Sequence, residues 1–185
     1  LTRGHYNEGQ AEWSPDGSMI AYVSNTTEDP DKNSNSDIFI IEARVGATPR
    51  KLTSWKGSDS NPRWSPDGKT LAYTRSTSDA NYIMYDQPVL CVQSVSGGEP
   101  RLLSTALDRP VSSPRWNKDG SQIAVLVTDD CERYIATYEV SGGKMNKVIG
   151  GNRVFNALEL HPNGSWLTSM SEPSLPSEYY ALENG

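Results

Sequence analysis

The sequence predicts an all-β chain folded as a β-propeller: about four four-stranded antiparallel blades of a larger, seven- or eight-bladed ring. Three observations predict it. A five-residue phrase recurs four times, a strand-like run follows every copy, and no segment of ten or more residues carries a helical period.

The phrase is W-S-P-D-G. Its copies are Trp13-Ser14-Pro15-Asp16-Gly17, Trp64-Ser65-Pro66-Asp67-Gly68, Trp116-Asn117-Lys118-Asp119-Gly120 and the most degraded, Leu160-His161-Pro162-Asn163-Gly164. Their first residues lie 51, 52 and 44 positions apart, a period that suits one four-stranded blade. Each copy reads as a tight corner between two strands. Proline presets the backbone angle of the second turn position, Asp or Asn bonds to nearby backbone, and glycine accepts the left-handed conformation at the end.

After each corner comes a run rich in β-branched and aromatic residues: 19–23, 70–74, 123–127 and 166–170. Several apolar residues stand in a row there, as expected of strands covered on both faces. A third strand follows a variable loop, at 37–41, 89–93, 134–138 and 179–182. In the first three copies a glycine-bearing turn then leads to a polar outer strand, at 49–53, 100–104 and 145–149, suited to an edge that must not recruit another chain. The predicted blades are 9–53, 60–104, 112–150 and 156–185, a partial propeller over 1–185. Leu1-Thr2 stands where Leu52-Thr53 stands one repeat later, so it reads as the end of a preceding blade. The lesser alternative is that Leu1-Thr2 closes the ring on the last blade, although two residues are too few to bond a whole strand.

Composition narrows the partners. The 185 residues carry 17 Lys plus Arg against 23 Asp plus Glu, a net charge of -6. No basic run occurs, and the acidic balance argues against nucleic acid and acidic membranes, which need a basic face to neutralise phosphates. Uninterrupted apolar runs reach five or six residues, as in 123–127, far short of the roughly 20 that cross a bilayer. The start, Leu1-Thr2-Arg3, has no charged and apolar leader, which reads as a leader absent or already removed and leaves the compartment open. Cys91 and Cys131 have no CxxC spacing and read as two buried thiols, with a single inter-blade disulfide as the alternative.

The chain is not expected to be an enzyme by itself. No G-x-S-x-G phrase supplies a nucleophile, and the two histidines, His5 and His161, read as solvated or turn residues. Asp16, Asp67 and Asp119 fall at equivalent corners of different blades, so they cannot converge on a metal. Gly97-Gly98 and Gly142-Gly143 precede no helix and read as turns, not phosphate loops, so no cofactor is expected. Trp13, Trp64 and Trp116 share one repeat position and are expected to pack between blades. The asymmetric loops are better candidates for function. Residues 25–36, with Glu28, Asp29 and Asp31, form a polar excursion expected to be mobile. Residues 76–87, with Tyr82, Tyr85 and Asp86, are richer in aromatics, and together with Arg109 they make the candidate rim.

The repeats resemble the propeller shared by the periplasmic Tol-system protein and the prolyl oligopeptidase family. The run Leu107-Asp108-Arg109-Pro110-Val111-Ser112-Ser113-Pro114-Arg115-Trp116, with Val127-Thr128-Asp129-Asp130 and Gly142-Gly143-Lys144 after it, is similar to the late blades of acylaminoacyl-peptidase-like and dipeptidyl-peptidase-like members. The tail from Ser171 to Glu183 resembles their final blade. Asn117-Lys118 in place of Ser-Pro, and His161 with Asn163, depart from the pattern. The resemblance implies a propeller that gates peptide access to a separate α/β-hydrolase domain of a serine peptidase, which would be its partner along with peptide substrates. A Tol-type module that binds another protein is the alternative, and a propeller lyase acting on acidic sugars is weaker, since two scattered histidines make no metal site. A periplasmic or secreted location is slightly favoured by the resemblance. Exposed blade edges suggest a dimer when the arc stands alone.

Overall fold

The structure is a computed structural model that describes residues 2, 5–79, 85–161 and 163–182. It is almost wholly β. The first sheet runs β1 (Glu8–Trp13), β2 (Met19–Ser24), β3 (Asp37–Glu42), β4 (Arg50–Lys51), in that spatial order. The second repeats it with β5 (Asp59–Trp64), β6 (Thr70–Arg75), β7 (Val89–Ser94) and β8 (Arg101–Leu102). A third follows as β9 (Val111–Trp116), β10 (Gln122–Asp129), β11 (Glu132–Glu139) and β12 (Met145–Ile149). The fourth has β13 (Val154–Leu160), β14 (Trp166–Glu172) and β15 (Leu175–Leu182), and a parallel bridge from Arg133 to Val154 joins it to the third. Among the described residues, helix is confined to two single turns, Pro30–Lys32 and Thr105–Leu107.

Alternation along the middle strands stacks these sheets. Ala21, Val23, Ile38 and Ile40 of the first meet Leu71, Tyr73, Val89 and Cys91 of the second. The opposite face of the second sheet, with Ala72, Leu90 and Val92, meets Ile123, Val125 and Val127. Ala124, Leu126 and Ile135 in turn meet Phe155, Leu158 and Met170. Successive residues point to opposite faces, so a strand buried on both sides must be apolar at every position. Each fully buried Leu or Ile contributes about 1.5–3 kcal/mol of transfer free energy.

The corners form as the phrase predicts. Gly17 N donates to Ser14 O at 2.9 Å, Gly68 N to Ser65 O at 2.9 Å and Gly120 N to Asn117 O at 3.2 Å. The glycines at 17, 68, 120 and 164 have φ of 71°, 69°, 75° and 96°, a region costly for any residue with a Cβ. Asp16 Oδ1 accepts from the Ser14 hydroxyl at 2.7 Å and from Ser18 N at 3.0 Å. These bonds, led by that from Ser14, pull its carboxyl down to about 2. Asp67 and Asp119 are lowered in the same way, chiefly by the hydroxyls of Ser65 and Ser121. Pro162 lies outside the described residues.

Three expectations are corrected. Trp13 does not pack between blades: it is 60% exposed while Trp64 and Trp116 are buried, because no described sheet covers the outer side of the first one. Cys131 is exposed at the β10–β11 turn, Cys91 is buried, and both are free, so the pair is neither two buried thiols nor a disulfide. Within the loop at 25–36, Asn25 Nδ2 donates to Pro30 O at 3.2 Å and Asn33 Nδ2 donates to Asp29 O at 2.9 Å. The first two outer strands shrink to two residues each. Beyond them Leu52-Thr53 and Leu103-Ser104 turn inward, and the Thr53 and Ser104 hydroxyls accept from Ile38 N and Leu90 N at 2.9 and 2.8 Å in place of a strand carbonyl.

Candidate functional site

Two ends of the sheets offer different surfaces. One end carries the tight corners. The other carries the long β2–β3 and β6–β7 loops and the connections from each outer strand to the next first strand. Antiparallel order fixes this division, because every second connection returns to the same end.

On the loop end, two asymmetric segments meet through Trp55. Asn35 Nδ2 donates to Trp55 O at 3.1 Å, and Trp55 Nε1 donates to Ser76 O at 2.9 Å. The Arg75 guanidinium lies 5.0 Å from the Trp55 ring centre and makes a two-pronged bond to buried Asp59, Nε to Oδ1 at 2.8 Å and Nη2 to Oδ2 at 2.9 Å. Asp59 N also bonds Ser36 O at 2.8 Å, which ties the first loop to the second sheet. The aromatic and the carboxylate thus hold the bases of both loops.

The candidate rim residues partly converge. Asp86 Oδ1 accepts from Thr77 N at 2.8 Å and Thr77 Oγ1 at 3.2 Å, closing the neck of the 76–87 loop. Tyr85 stands 89% exposed, with its backbone in the left-handed region at φ of 67°. It shares a hollow of about 330 Å³ with Gln87, Thr105, Asp108 and Arg109. Arg109 is ion-paired to Asp129 and donates from Nη1 to Asp108 O at 2.7 Å. The Asp129 carboxylate raises its pKa further, so it stays cationic at every accessible pH. Tyr82 lies outside the described residues.

On the corner end, the structure shows residues that sequence reasoning passed over. Trp64 Nε1 donates to Glu12 O at 3.0 Å and Trp116 Nε1 donates to Arg63 O at 2.9 Å, so each of these two buried corner indoles grips the sheet before it. The residue ahead of each corner is Glu12, Arg63, Arg115 or Glu159, and these side chains line one hollow of about 560 Å³. Arg63 pairs with Glu12 at 2.6 Å, and Arg115 Nε donates to Glu159 at 2.8 Å. The signal was in the repeat: the position before the corner reads acid, base, base, acid. In each of the first three sheets a left-handed residue, Gln10, Asn61 or Ser113, sits at an irregularity of the first strand, two positions before the charged residue and three before the corner Trp.

Among the described residues none of these groups pairs a nucleophile with a base, and the His161 ring accepts at Nδ1 from Asn163 N at 3.3 Å within its turn. Residues 1–177 match the family described as the TolB beta propeller domain. The chain belongs to that family. The uncharacterized peptidase YuxL of Bacillus subtilis is similar to this propeller, 34% identical over 117 residues that make up 63% of the chain and 17% of that protein. Dipeptidyl-peptidase 5 of Porphyromonas gingivalis is 27% identical over 172 residues, 92% of the chain and 25% of that protein. A puromycin-hydrolyzing peptidase of Mycobacterium tuberculosis superposes with a TM-score of 0.76 at 18% identity, over 95% of this chain and 28% of that one. The TolB-type propeller described here therefore spans about a sixth to a quarter of the length of these curated relatives. Its fold is a β-propeller whose sheets do not close into a ring. Its likeness to the propeller domains of prolyl oligopeptidase-type peptidases holds across the chain.

Proposed function

We propose that this chain is the non-catalytic propeller part of a serine oligopeptidase and gates peptide access to a separate α/β-hydrolase domain. The observation that carries the reading is the similarity to dipeptidyl-peptidase 5 over 92% of the chain, with a repeat-breaking rim on one end only. The loops at 25–36 and 76–87 and the Asp108-Arg109 connection all rise from the end at which an outer strand finishes. A chain leaving a complete blade departs from that same end, so a following domain would meet Tyr85 and Arg109 first. A narrow propeller passage admits extended peptides and rejects folded proteins by size, and rim side chains add contacts that discriminate among peptide ends.

The test is to label the full-length gene product with a fluorophosphonate and assay it on peptides of increasing length. A labelled serine beyond residue 185, in a G-x-S-x-G phrase, with cleavage that falls off for folded substrates, is the expected result. A full-length product that takes no label overturns the reading. The family match itself favours a second reading, a Tol-type propeller that serves as a protein-binding module. It expects a gene that ends within about one blade of residue 185 and a stoichiometric protein partner in a pull-down.

A further inference from the structure

At the corner end the first strands β1, β5, β9 and β13 lie side by side, and they bring two arginines together. Arg63 and Arg115 occupy equivalent places on neighbouring sheets and line the same hollow with Lys118, Glu12 and Glu159. Glu159 is held below the usual carboxylate range first by its hydrogen bonds from Arg115, and Arg63 adds to the effect from the next sheet. Three cations thus face two carboxylates in a chain whose net charge is -6. Arg115 is fully engaged on one edge, Nε and Nη2 both on Glu159, and Nη1 donates to Pro114 O at 2.9 Å. Arg63 is not: Nη1 donates to Glu12 at 2.6 Å, while Nε is buried with no partner among the described atoms. A buried guanidinium nitrogen without an acceptor is costly, and so is a pair of like charges at a sheet junction.

We propose that this hollow is a carboxylate-binding site, taking an acidic side chain or the free C-terminus of an extended peptide. The Arg115 fork is taken by Glu159, so an incoming carboxylate pairs with Arg63 and Lys118, and its one negative charge balances the excess of one positive charge. Glu12 and Glu159 orient the arginines and compete with the ligand, which keeps the site weak and exchangeable. The indoles of Trp64 and Trp116 form part of the wall, so occupancy is read by their fluorescence. This site stands apart from the rim at Tyr85 and Arg109, and it does not require that a hydrolase domain follow.

The experiment titrates the full-length protein at low ionic strength with three probes: acetyl-tetraglutamyl amide, acetyl-tetraglutaminyl amide and acetyl-tetraglutamine with a free C-terminus. Binding of the first or the third, at least tenfold tighter than the neutral amide and weakened by salt, is expected, and the two arms tell a side-chain carboxylate from a terminal one. The variants R63Q and R115Q should lose at least tenfold. Because these may also loosen the sheets, E12Q and E159Q give the opposite sign: removing the competing carboxylates should tighten the acidic probe several-fold. Equal binding of the neutral amide, or E12Q and E159Q that weaken the acidic probe as an ion pair serving only the fold would, overturns the proposal.

Discussion

Trp116 Nε1 donates to the carbonyl of Arg63 at 2.9 Å, across the junction of two sheets and 53 residues of chain. The same bond joins Trp64 to Glu12, at 3.0 Å, so the indole at each buried corner is a clasp on the preceding sheet. Trp13 occupies the identical repeat position and clasps nothing described.

Trp116→Phe should therefore destabilise by about 1–3 kcal/mol, from the lost bond and the smaller ring. Trp13→Phe in the 185-residue chain should stay within about 0.5 kcal/mol, as exposed substitutions do. Urea unfolding of both variants checks the contrast. Equal losses at the two positions would contradict the clasp.

The Asp59–Arg75 pair is buried at its acidic end, with Asp59 fully enclosed. Arg75→Met alone leaves that carboxylate unpaired and should cost about 3–5 kcal/mol, whereas Asp59→Leu with Arg75→Met should recover most of it. Thermal melts of the two singles and the double complete the cycle. A double variant as unstable as the sum of the singles would show that the pair is not coupled.

Gly57 sits where the first two sheets join, and an added Cβ would collide with Ser76 Oγ and the backbone oxygen of Ser78. The hydroxyl can turn away, but the backbone oxygen cannot. Gly57→Ala should destabilise by about 1–3 kcal/mol and disturb the 76–87 loop, visible as faster amide exchange near Ser76. A neutral Gly57→Ala would mean that the loop base yields freely.

Thiol chemistry should separate the cysteines. Cys131 is exposed and should react with a maleimide in the native state, while burial pushes the Cys91 thiol up to about 12 and encloses it, so it should label only on unfolding. Simultaneous labelling of both in native buffer would contradict the burial of β7.

Two carboxylates should give opposite pH slopes. Asp16 is lowered to about 2 by its hydroxyl and backbone donors, so its contribution is present above the ordinary carboxylate value of roughly 4 and is lost as pH falls towards 2. Asp37 is raised, first by burial and against the pull of Lys51, so the native state holds its proton more tightly than the unfolded chain and stability falls as pH rises through the folded value. Asp16→Asn should remove acid sensitivity at the low end, and Asp37→Asn should flatten the decline above it. Urea midpoints across pH 2–7 read both, and unchanged profiles would remove these assignments.

The repeat, the corners and the middle strands were legible along the chain, because each follows from neighbours a few residues apart. A proline, an acid and a left-handed glycine make the same turn wherever they stand, and strands such as Ile123 to Val127 must be covered on both sides to exist in water. Tertiary structure alone decided what those equivalent positions do. Trp13 and Trp64 are the same residue in the same phrase, yet one is open and the other buried, because burial depends on the sheet beside it. Outer strands that read as five residues stop at two, where the Thr53 and Ser104 hydroxyls take the place of a strand carbonyl as acceptors for Ile38 N and Leu90 N. The meeting of Arg63 and Arg115 was likewise invisible along the chain, since 52 residues separate them and only the stacking of first strands brings them to one hollow.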